Sequence, residues 1–476
     1  MSLFWVSPLF VFIGLLTTRR LSALPASLIA LAIAGFIVLT AGPREMSPAE
    51  LAMTVGAGIW IAVPAVVVIM AGLFFTEVTA PAASVAAPDA PADRARRLGT
   101  ACFFTGPFVE TAAGFGIGFV VAIRSIQALK LPLATTLALA AFSQCLVPWG
   151  ALGIGTRISS AIVHAPMDQV VWRVAAVMAP ALVLMAPIFW ACARRAGIAF
   201  SRAQMAEDVL LLAAMAALLI AASASVPIEL AGMGAIGPVL LVRLWRQHGT
   251  ELMTREKLLK ALPYLALIAA LAATRLNPAM EHFLTEPAFT PGHGAPAFSP
   301  FLSPAIPLVL VAMLTHWLTS SRRHSLGDVA ATTFAKGWRA CTLTMLLVAL
   351  AWILVRSGIA EAVAGDMRAL LGPLSPATVP LLGALGGYLT GNNAGAGSLS
   401  MPIAGAFAAP GAALVWLAAA SIMVGSLLTA LSPVRMAMGQ ALTGATHDQT
   451  ATAVRLLLPY AALGLAIAIT TALLAT

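Results

Sequence analysis

The sequence has little charge. Only 9% of its 476 residues are Asp, Glu, Lys or Arg, whereas soluble globular domains have about 25%. Hydrophobic residues make up 60% of the chain, and the mean hydropathy is +0.95. This composition excludes a soluble globular protein. The net charge of +9 comes from Lys and Arg in short loops between apolar runs, the usual topogenic pattern of membrane proteins, so we expect no nucleic-acid partner.

The sequence also lacks motifs for metal, disulfide or catalytic chemistry. Its four cysteines have no C-x-x-C spacing and lie mainly in apolar runs, so they indicate neither a zinc site nor a disulfide framework. It has no P-loop, nucleophile elbow or H-E-x-x-H motif. An intramembrane enzyme would need a nucleophile–base pair or a cluster of metal ligands, and the sequence indicates neither. We therefore expect no enzymatic activity, no metal and no cofactor.

Apolar runs long enough to cross a bilayer are abundant. Runs of about 20 apolar residues cross it as helices, and the chain has room for roughly 12 to 14 membrane segments. The first run, 1–17, has no basic residues before it, so we expect a retained helix rather than a cleaved signal peptide. The clear spans fall near 2–17, 21–40, 51–75, 170–191, 208–226, 228–242, 261–275, 304–320, 336–356 and 452–475.

Two further regions, 99–169 and 376–447, are apolar but interrupted by Gly, Pro and Asn. Basic loops of membrane proteins lie on the cytoplasmic side. On that rule the first region is entered from the cytoplasmic loop 76–98 and the second from the external loop 357–375, so the two regions run in opposite senses. We predict an all-α polytopic membrane protein with two inverted-topology repeats, each containing a broken or re-entrant helix region. The predicted division is 1–200 for the first repeat, 201–260 for a connecting transmembrane hairpin and 261–476 for the second repeat.

The two interrupted regions echo each other in sequence. Ala113-Gly114-Phe115-Gly116 begins 35 residues before Pro148, and Ala394-Gly395-Ala396-Gly397 begins 39 residues before Pro433. Interrupted helices at matching positions of inverted halves indicate the binding site of a secondary transporter. The alternative is that these small residues only let membrane helices pack closely.

Glu110 lies in the glycine-rich stretch 106–118 and is the acid that we expect to be farthest from any polar loop. A charge at the centre of a bilayer costs roughly 2.5–3.5 kcal/mol, and acids in that position usually handle protons, ions or substrate. We therefore predict that Glu110 couples transport to a proton. The alternative is a protonated Glu110 that is satisfied by a neighbouring helix.

An anionic substrate needs hydrogen-bond donors, and broken helices supply backbone N–H groups at the positive ends of half-helices. Amide and hydroxyl side chains at the breaks add further polar groups, and an arginine matches a carboxylate with two N–H groups. The alternatives are that the asparagines join helices and that the arginines extend to the membrane surface. The predicted substrate-binding residues are Thr111, Gly114, Gly116, Arg157, Asn392, Asn393, Gly395, Ser398, Ser432 and Arg435.

Four segments resemble the L-lactate permease family of the ion transporter superfamily. They are Glu110–Gly116 (ETAAGFG), Gly150–Ile154 (GALGI), Gly383–Gly391 (GALGGYLTG) and Ser432-Pro433. The resemblance implies import of lactate or glycolate with a proton across a bacterial-type cytoplasmic membrane, with Glu110 at the position of the family's glutamate.

The chain departs from the family's pattern near its second interrupted region. A lysine of the family maps onto Thr429, and the family's S-P-Q-S becomes Ser432-Pro433-Val434-Arg435. We expect Arg435 to compensate for the missing lysine.

Other functions remain open at this stage. The expected partners are a small organic anion, a proton or Na⁺, and the lipid bilayer. The alternatives to proton–monocarboxylate symport are a carrier of another organic or inorganic anion, Na⁺ coupling, and an anion channel. Uptake against a gradient of the anion distinguishes a carrier from a channel, because a channel accumulates an anion only under a driving potential.

Overall fold

The apolar segments of the sequence fold into helices. The computed structural model describes residues 2–18, 20–79, 91–249, 254–292, 296–318 and 325–476. The ten predicted spans all coincide with helices in this part of the chain. The helices are α1 (Ser2–Thr17), α2 (Ala23–Thr40), α3 (Pro48–Thr79), α4 (Pro91–Thr100), α5 (Gly106–Ala113), α6 (Ile117–Gln127), α7 (Leu133–Ala141), α8 (Gly150–Ile162), α9 (Met167–Arg195), α10 (Arg202–Ser225), α11 (Ile228–His248), α12 (Arg255–Arg275), α13 (Pro278–Thr285), α14 (Ala305–Leu318), α15 (Leu326–Arg356), α16 (Ile359–Leu371), α17 (Thr378–Thr390), α18 (Asn393–Phe407), α19 (Ala412–Thr429), α20 (Pro433–Thr443) and α21 (His447–Ala475).

Many of these helices are long enough to cross a membrane. Among the described residues, nine helices have sufficient length and hydropathy, and the pair Leu133–Gln144 and Val147–Ile162, bent by 56°, forms a tenth candidate span. Four shorter apolar helices have 10–17 residues, and one of them is Ile117–Gln127. The protein is therefore an all-α, multi-pass membrane protein, as the sequence predicts. The inverted relation between its two halves stays a prediction.

Small residues bring the long helices into close contact. A Cβ atom on Gly58 of α3 would lie only 2.6 Å from the Cα atom of Ala349 in α15. Gly387 of α17 lies directly against the backbone carbonyl of Gly425 in α19. Helices that approach this closely gain stability from van der Waals contact rather than from the exclusion of water.

The second interrupted region lies inside the bundle. In the most apolar 18-residue window of Ala412–Thr443, 94% of the residues are buried, compared with 33% in that of His447–Ala475. The segment Ala412–Thr443 is formed by α19 and α20, so the residues around its break are shielded by other helices rather than by lipid.

The helices extend beyond the apolar runs from which they were predicted. Part of the predicted loop 76–98 is helical, because α3 continues to Thr79 and α4 begins at Pro91; residues 80–90 lie outside the described part of the chain. The predicted hairpin 201–260 contains α10 and α11, but α12 already begins at Arg255. Charged residues occupy the first and last turns of such helices, and hydropathy alone therefore places the ends too far inward.

Candidate functional site

The helix that carries Glu110 is interrupted a few residues further along the chain. The segments α5 and α6 are separated by Gly114, Phe115 and Gly116, whose φ angles are 70°, 53° and 83°. Glycine adopts this left-handed region freely, whereas a residue with a Cβ atom pays about 1–2 kcal/mol there. The predicted break at Gly114 is therefore present.

A second break in the same region lies against the first one. Inside α8, Ala151, Leu152 and Gly153 have φ angles of 49°, 58° and 78°, so the regular helix starts only after them. A side chain on Gly114 would collide with Ala151. The two breaks of the first region are therefore in direct contact.

The Glu110 carboxylate turns back onto the start of α6. The side chain of this residue is almost fully buried, with a relative exposure of 1%. Its Oε1 atom accepts a hydrogen bond from the Gly116 N–H at 3.1 Å, and its Oε2 atom accepts from the Gly118 N–H at 2.9 Å. Gln144 Nε2 donates to the same Oε2 atom at 3.3 Å. The first N–H groups of a helix have no partner within it and favour an anion. The Glu110 carboxylate therefore accepts the hydrogen bonds of the N–H groups that the break leaves free at the start of α6.

This arrangement changes the expected role of the first glycines. We expected the N–H groups of Gly114 and Gly116 to be offered to a substrate. Instead, the Gly114 N–H donates to the Glu110 backbone carbonyl at 2.8 Å, and the Gly116 N–H donates to the Glu110 carboxylate. Both donors are thus occupied by Glu110 in this state of the protein.

Arg435 brings the second interrupted region to Glu110. It lies in the first turn of α20 and is 3% exposed, and its Nη2 atom is 3.8 Å from Glu110 Oε1. The guanidinium group occupies the space that a side chain on Gly116 would need. Gly116 is therefore required both for the backbone turn and for the approach of Arg435. The Arg435 Nε atom has no hydrogen-bond partner among the described residues.

Neutral side chains close the two breaks of the second region. Asn392 Oδ1 accepts a hydrogen bond from the Gly395 N–H at 2.7 Å and caps α18. Ser432 Oγ accepts from the Arg435 backbone N–H at 3.0 Å and caps α20. A Cβ atom on Gly391, whose φ angle is 68°, would lie 2.8 Å from Ser432 Oγ. The two breaks of this region are also in contact with each other.

The break that we expected near Gly395 lies earlier in the chain. It is formed by Gly391 and Asn392, and both Gly395 and Gly397 belong to the regular helix α18. The reason is the asparagine cap: because the Asn392 side chain binds the Gly395 N–H, the helix can begin at Asn393. Gly397 instead allows α18 to lie against Ser159 of α8.

Asn393 joins the two interrupted regions at a second place. Its Nδ2 atom donates to Thr156 Oγ1 at 3.3 Å, and a Cβ atom on Gly155 would lie 2.8 Å from Asn393 Cβ. The Asn393 Oδ1 atom is buried and has no hydrogen-bond partner among the described residues. Such an atom costs about 1–3 kcal/mol unless a ligand or a water binds it.

The four breaks surround a small cavity, which we call the central cavity. Its volume is about 400 Å³ including its open side, and Asn392, Asn393, Glu110 and Arg435 contribute its polar lining. The remaining lining residues are apolar or glycine and belong to α3, the first break, α8, Val147 just before α8, and Ala394 of α18. Two of the polar lining residues each have a buried polar atom without a hydrogen-bond partner among the described residues, the donor Arg435 Nε and the acceptor Asn393 Oδ1.

The other predicted residues do not line the central cavity. Arg157 pairs with Glu229 at 2.6 Å, and Arg275 binds the same carboxylate oxygen at 3.0 Å. Thr111 donates to the Phe108 carbonyl, and Ser398 donates to the Ala394 carbonyl within α18.

Two buried acids were not expected from the sequence. Asp208 and Glu229 are 0% and 2% exposed, so Glu110 is one of several buried carboxylates. Arg243, which follows the predicted span 228–242, is also buried within α11. Its guanidinium is 3.1 Å from Asp208 Oδ1 and 3.0 Å from Glu207 Oε1. A signal was present in the sequence, because Asp208 and Glu229 lie within the first two positions of the predicted spans 208–226 and 228–242, and Arg243 follows the second span directly.

Gln144 is the functional neighbour that sequence reasoning missed. It lies between α7 and α8, and its only mark in the sequence is a polar pair, Ser143-Gln144, inside an apolar run. Nothing in the sequence shows that this pair faces Glu110, which lies 34 positions earlier.

The sequence matches no protein-family model, and a comparison with curated proteins finds no match. Among solved structures, the protein is similar to the Alcanivorax borkumensis YdaH transporter, with 15% sequence identity and a TM-score of 0.46. The similarity covers 99% of this chain and 97% of that chain. At this score a shared fold is not established. The resemblance to the L-lactate permease family is not confirmed by these comparisons.

Proposed function

We propose that the protein is a secondary active transporter that imports a small 2-hydroxy monocarboxylate, such as L-lactate or glycolate, with a proton across a bacterial-type cytoplasmic membrane. The observation that supports this proposal best is the contact between Glu110 and Arg435 beside the central cavity. It joins a group that can carry a proton to a group that can bind a carboxylate.

The two groups couple proton and substrate by competition. While Glu110 is ionised, it attracts the Arg435 guanidinium and receives the N–H groups of the first break. A proton on Glu110 removes that charge, and Arg435 is then available to a substrate carboxylate, its natural partner in a buried site. The bound anion thus takes the place of the glutamate charge, and the buried arginine stays neutralised throughout.

The cavity also suits the second polar group of a 2-hydroxy acid. The carboxylate accepts hydrogen bonds from Arg435, and the 2-hydroxyl group donates to the unpartnered Asn393 Oδ1 atom. The cavity is narrow, with an accessible volume of only about 30 Å³, so it admits no more than a small molecule. A plain monocarboxylate would leave Asn393 Oδ1 unbound.

Release into the cytoplasm reverses these steps. The anion leaves Arg435, the proton leaves the Glu110 carboxyl for cytoplasmic water, and the two side chains pair again. One negative and one positive charge have then crossed together, so the cycle moves no net charge.

The test is uptake of labelled L-lactate into proteoliposomes. With the membrane potential held at zero, an inward proton gradient should drive accumulation, and an inward Na⁺ gradient alone should not. Changing the potential at a fixed pH gradient should leave the rate unchanged. Accumulation driven only by Na⁺ would establish the alternative coupling ion, and downhill flux without accumulation would establish a channel. Competition by unlabelled glycolate, propionate and inorganic anions then defines the substrate.

A further inference from the structure

A second and larger cavity lies on the other side of the Arg435 helix. This peripheral cavity measures about 1610 Å³ including its open part, and its wall is formed by the α1–α2 connection, α17, α20 and α21. The proposed function assigns no role to it.

The second interrupted region separates the two cavities. Asn392 and Arg435 line the central cavity, whereas Leu389 and Val434 line the peripheral one. Neighbouring residues of the same two breaks therefore face opposite cavities.

The peripheral cavity has a positive lining. Arg20 contributes a permanent charge, and the described lining residues include no Asp or Glu. Hydroxyl and amide groups, among them Thr17, Ser22 and Gln440, add polar surface. A lining with one sign of charge raises the local concentration of ions of the opposite sign.

We propose that the peripheral cavity is the cytoplasmic vestibule through which a carboxylate anion leaves the Arg435 site, with Arg20 as the residue that attracts anions into it. This inference rests on the proposed function, because it takes the Arg435 site as the origin of the anion. The cytoplasmic side follows from the pair Arg19-Arg20 between the first two apolar runs, because basic loops of membrane proteins lie on that side. A small hydrated anion is favoured over a lipid as the occupant because the cavity ends at the second interrupted region, beside Arg435.

Thiol labelling tests the vestibule directly. The four native cysteines are buried, so Ala437→Cys, an exposed lining position on α20, adds one accessible thiol. In inside-out vesicles this cysteine should react with the membrane-impermeant anionic reagent sulfonatoethyl methanethiosulfonate, and in right-side-out vesicles it should not. The ratio of the reaction rate of this anionic reagent to that of its cationic trimethylammonium analogue should be higher at Ala437→Cys than at the exposed control Ala331→Cys on α15.

Arg20→Gln should reduce that preference by about fivefold, the effect of one close charge pair in water. Bound sulfonate at Ala437→Cys should also block L-lactate flux. Labelling from the external side, a preference unaffected by Arg20→Gln, or unchanged flux after full labelling would each overturn the vestibule. Protection of Ala437→Cys by anionic phospholipid, but not by neutral lipid, would assign the cavity to a lipid headgroup and would also overturn it.

The side and charge preference of labelling need no transported substrate. If L-lactate uptake fails while both labelling results hold, the proposed substrate is wrong and the vestibule stands. If protons drive L-lactate uptake but the labelling results fail, the proposed function stands and the vestibule is wrong.

Discussion

The two interrupted regions both contain broken helices whose end N–H groups need hydrogen-bond acceptors, but they supply different acceptors. In each region two broken helices touch at their breaks, through Gly114 and Ala151 in the first and through Gly391 and Ser432 in the second. The first region satisfies its exposed helix end with a carboxylate that can take up a proton. The second uses the neutral caps Asn392 and Ser432, which do not titrate.

In the proposed mechanism, this difference gives the response to protons to one region only. Protonation of Glu110 removes the acceptor charge that holds the first break closed and at the same time releases Arg435. The breaks of the second region keep their hydrogen bonds whatever the pH. On that proposal, the second region holds the anion and the first region binds the proton.

The largest effect should come from Glu110→Gln. Glutamine keeps the size of the side chain but cannot exchange a proton, so pH-driven accumulation of L-lactate should be lost completely. Exchange of labelled for unlabelled substrate across equally loaded membranes should survive, because exchange does not require the empty, deprotonated carrier to return. Both rates are measured in the same proteoliposomes. Normal uphill uptake by the variant would show that the proton site lies elsewhere.

The second largest effect on transport should come from Arg435→Gln. Loss of an arginine–carboxylate contact in a dry site costs about 2–5 kcal/mol, so the apparent KM for L-lactate should rise by more than tenfold. The comparison variant is Arg157→Gln, because the Arg157 side chain is 43% exposed and its partner Glu229 would keep the contact with Arg275. An effect below threefold is expected there. If the two variants behave in the opposite order, the anion is bound at Arg157 instead.

Gly116→Ala should destabilise the first region. The φ angle of 83° at this position costs a residue with a Cβ atom about 1–2 kcal/mol of backbone strain. The new Cβ atom would also collide with the Arg435 guanidinium. The thermal unfolding midpoint in detergent should fall by several degrees. Gly405→Ala in α18 is the matched control, because nothing lies within 4 Å of its Cβ position. Equal midpoints for both variants would contradict the close contact of Arg435 with Gly116.

The smallest effects are expected for Asn392→Ala and Asn393→Ala, and they should differ in kind. Asn392→Ala removes a helix cap, which should lower stability by about 0.5–2 kcal/mol and leave the preference for L-lactate over propionate unchanged. Asn393→Ala removes the acceptor proposed for the 2-hydroxyl group and should reduce that preference by about fivefold, the value of one neutral hydrogen bond. Unfolding midpoints and competition assays measure the two quantities. A loss of preference in Asn392→Ala alone would reverse the assignment.

Hydropathy predicted the membrane helices well because a span of about 20 apolar residues has few alternatives in a bilayer. Glu110, Arg435 and the asparagines were also recognised one by one, since polar residues in apolar runs stand out. Their contacts were not predictable, because the Glu110–Arg435 pair joins positions 325 residues apart and depends on how two broken helices pack. The Asn392 cap, which places the break at Gly391 rather than at Gly395, is a local feature. It could have been inferred from the sequence, because Asn392 precedes a run of small residues that can start a helix.

The chain just before the Glu110 helix is held at Thr100 by hydrogen bonds from two side chains of α11. Arg243 donates from Nε to Thr100 Oγ1 at 3.0 Å, at the end of α4, and Gln247 donates to the same hydroxyl oxygen. Between this anchor and α5 lies a single π-helical turn, Ala101–Thr105. In the proposed mechanism, protonation of Glu110 would leave the hydrogen bonds of Thr100 intact and weaken only those at the Gly116 end. Motion that follows proton uptake should therefore begin in α6 and spread toward α20, with α5 acting as the fixed reference.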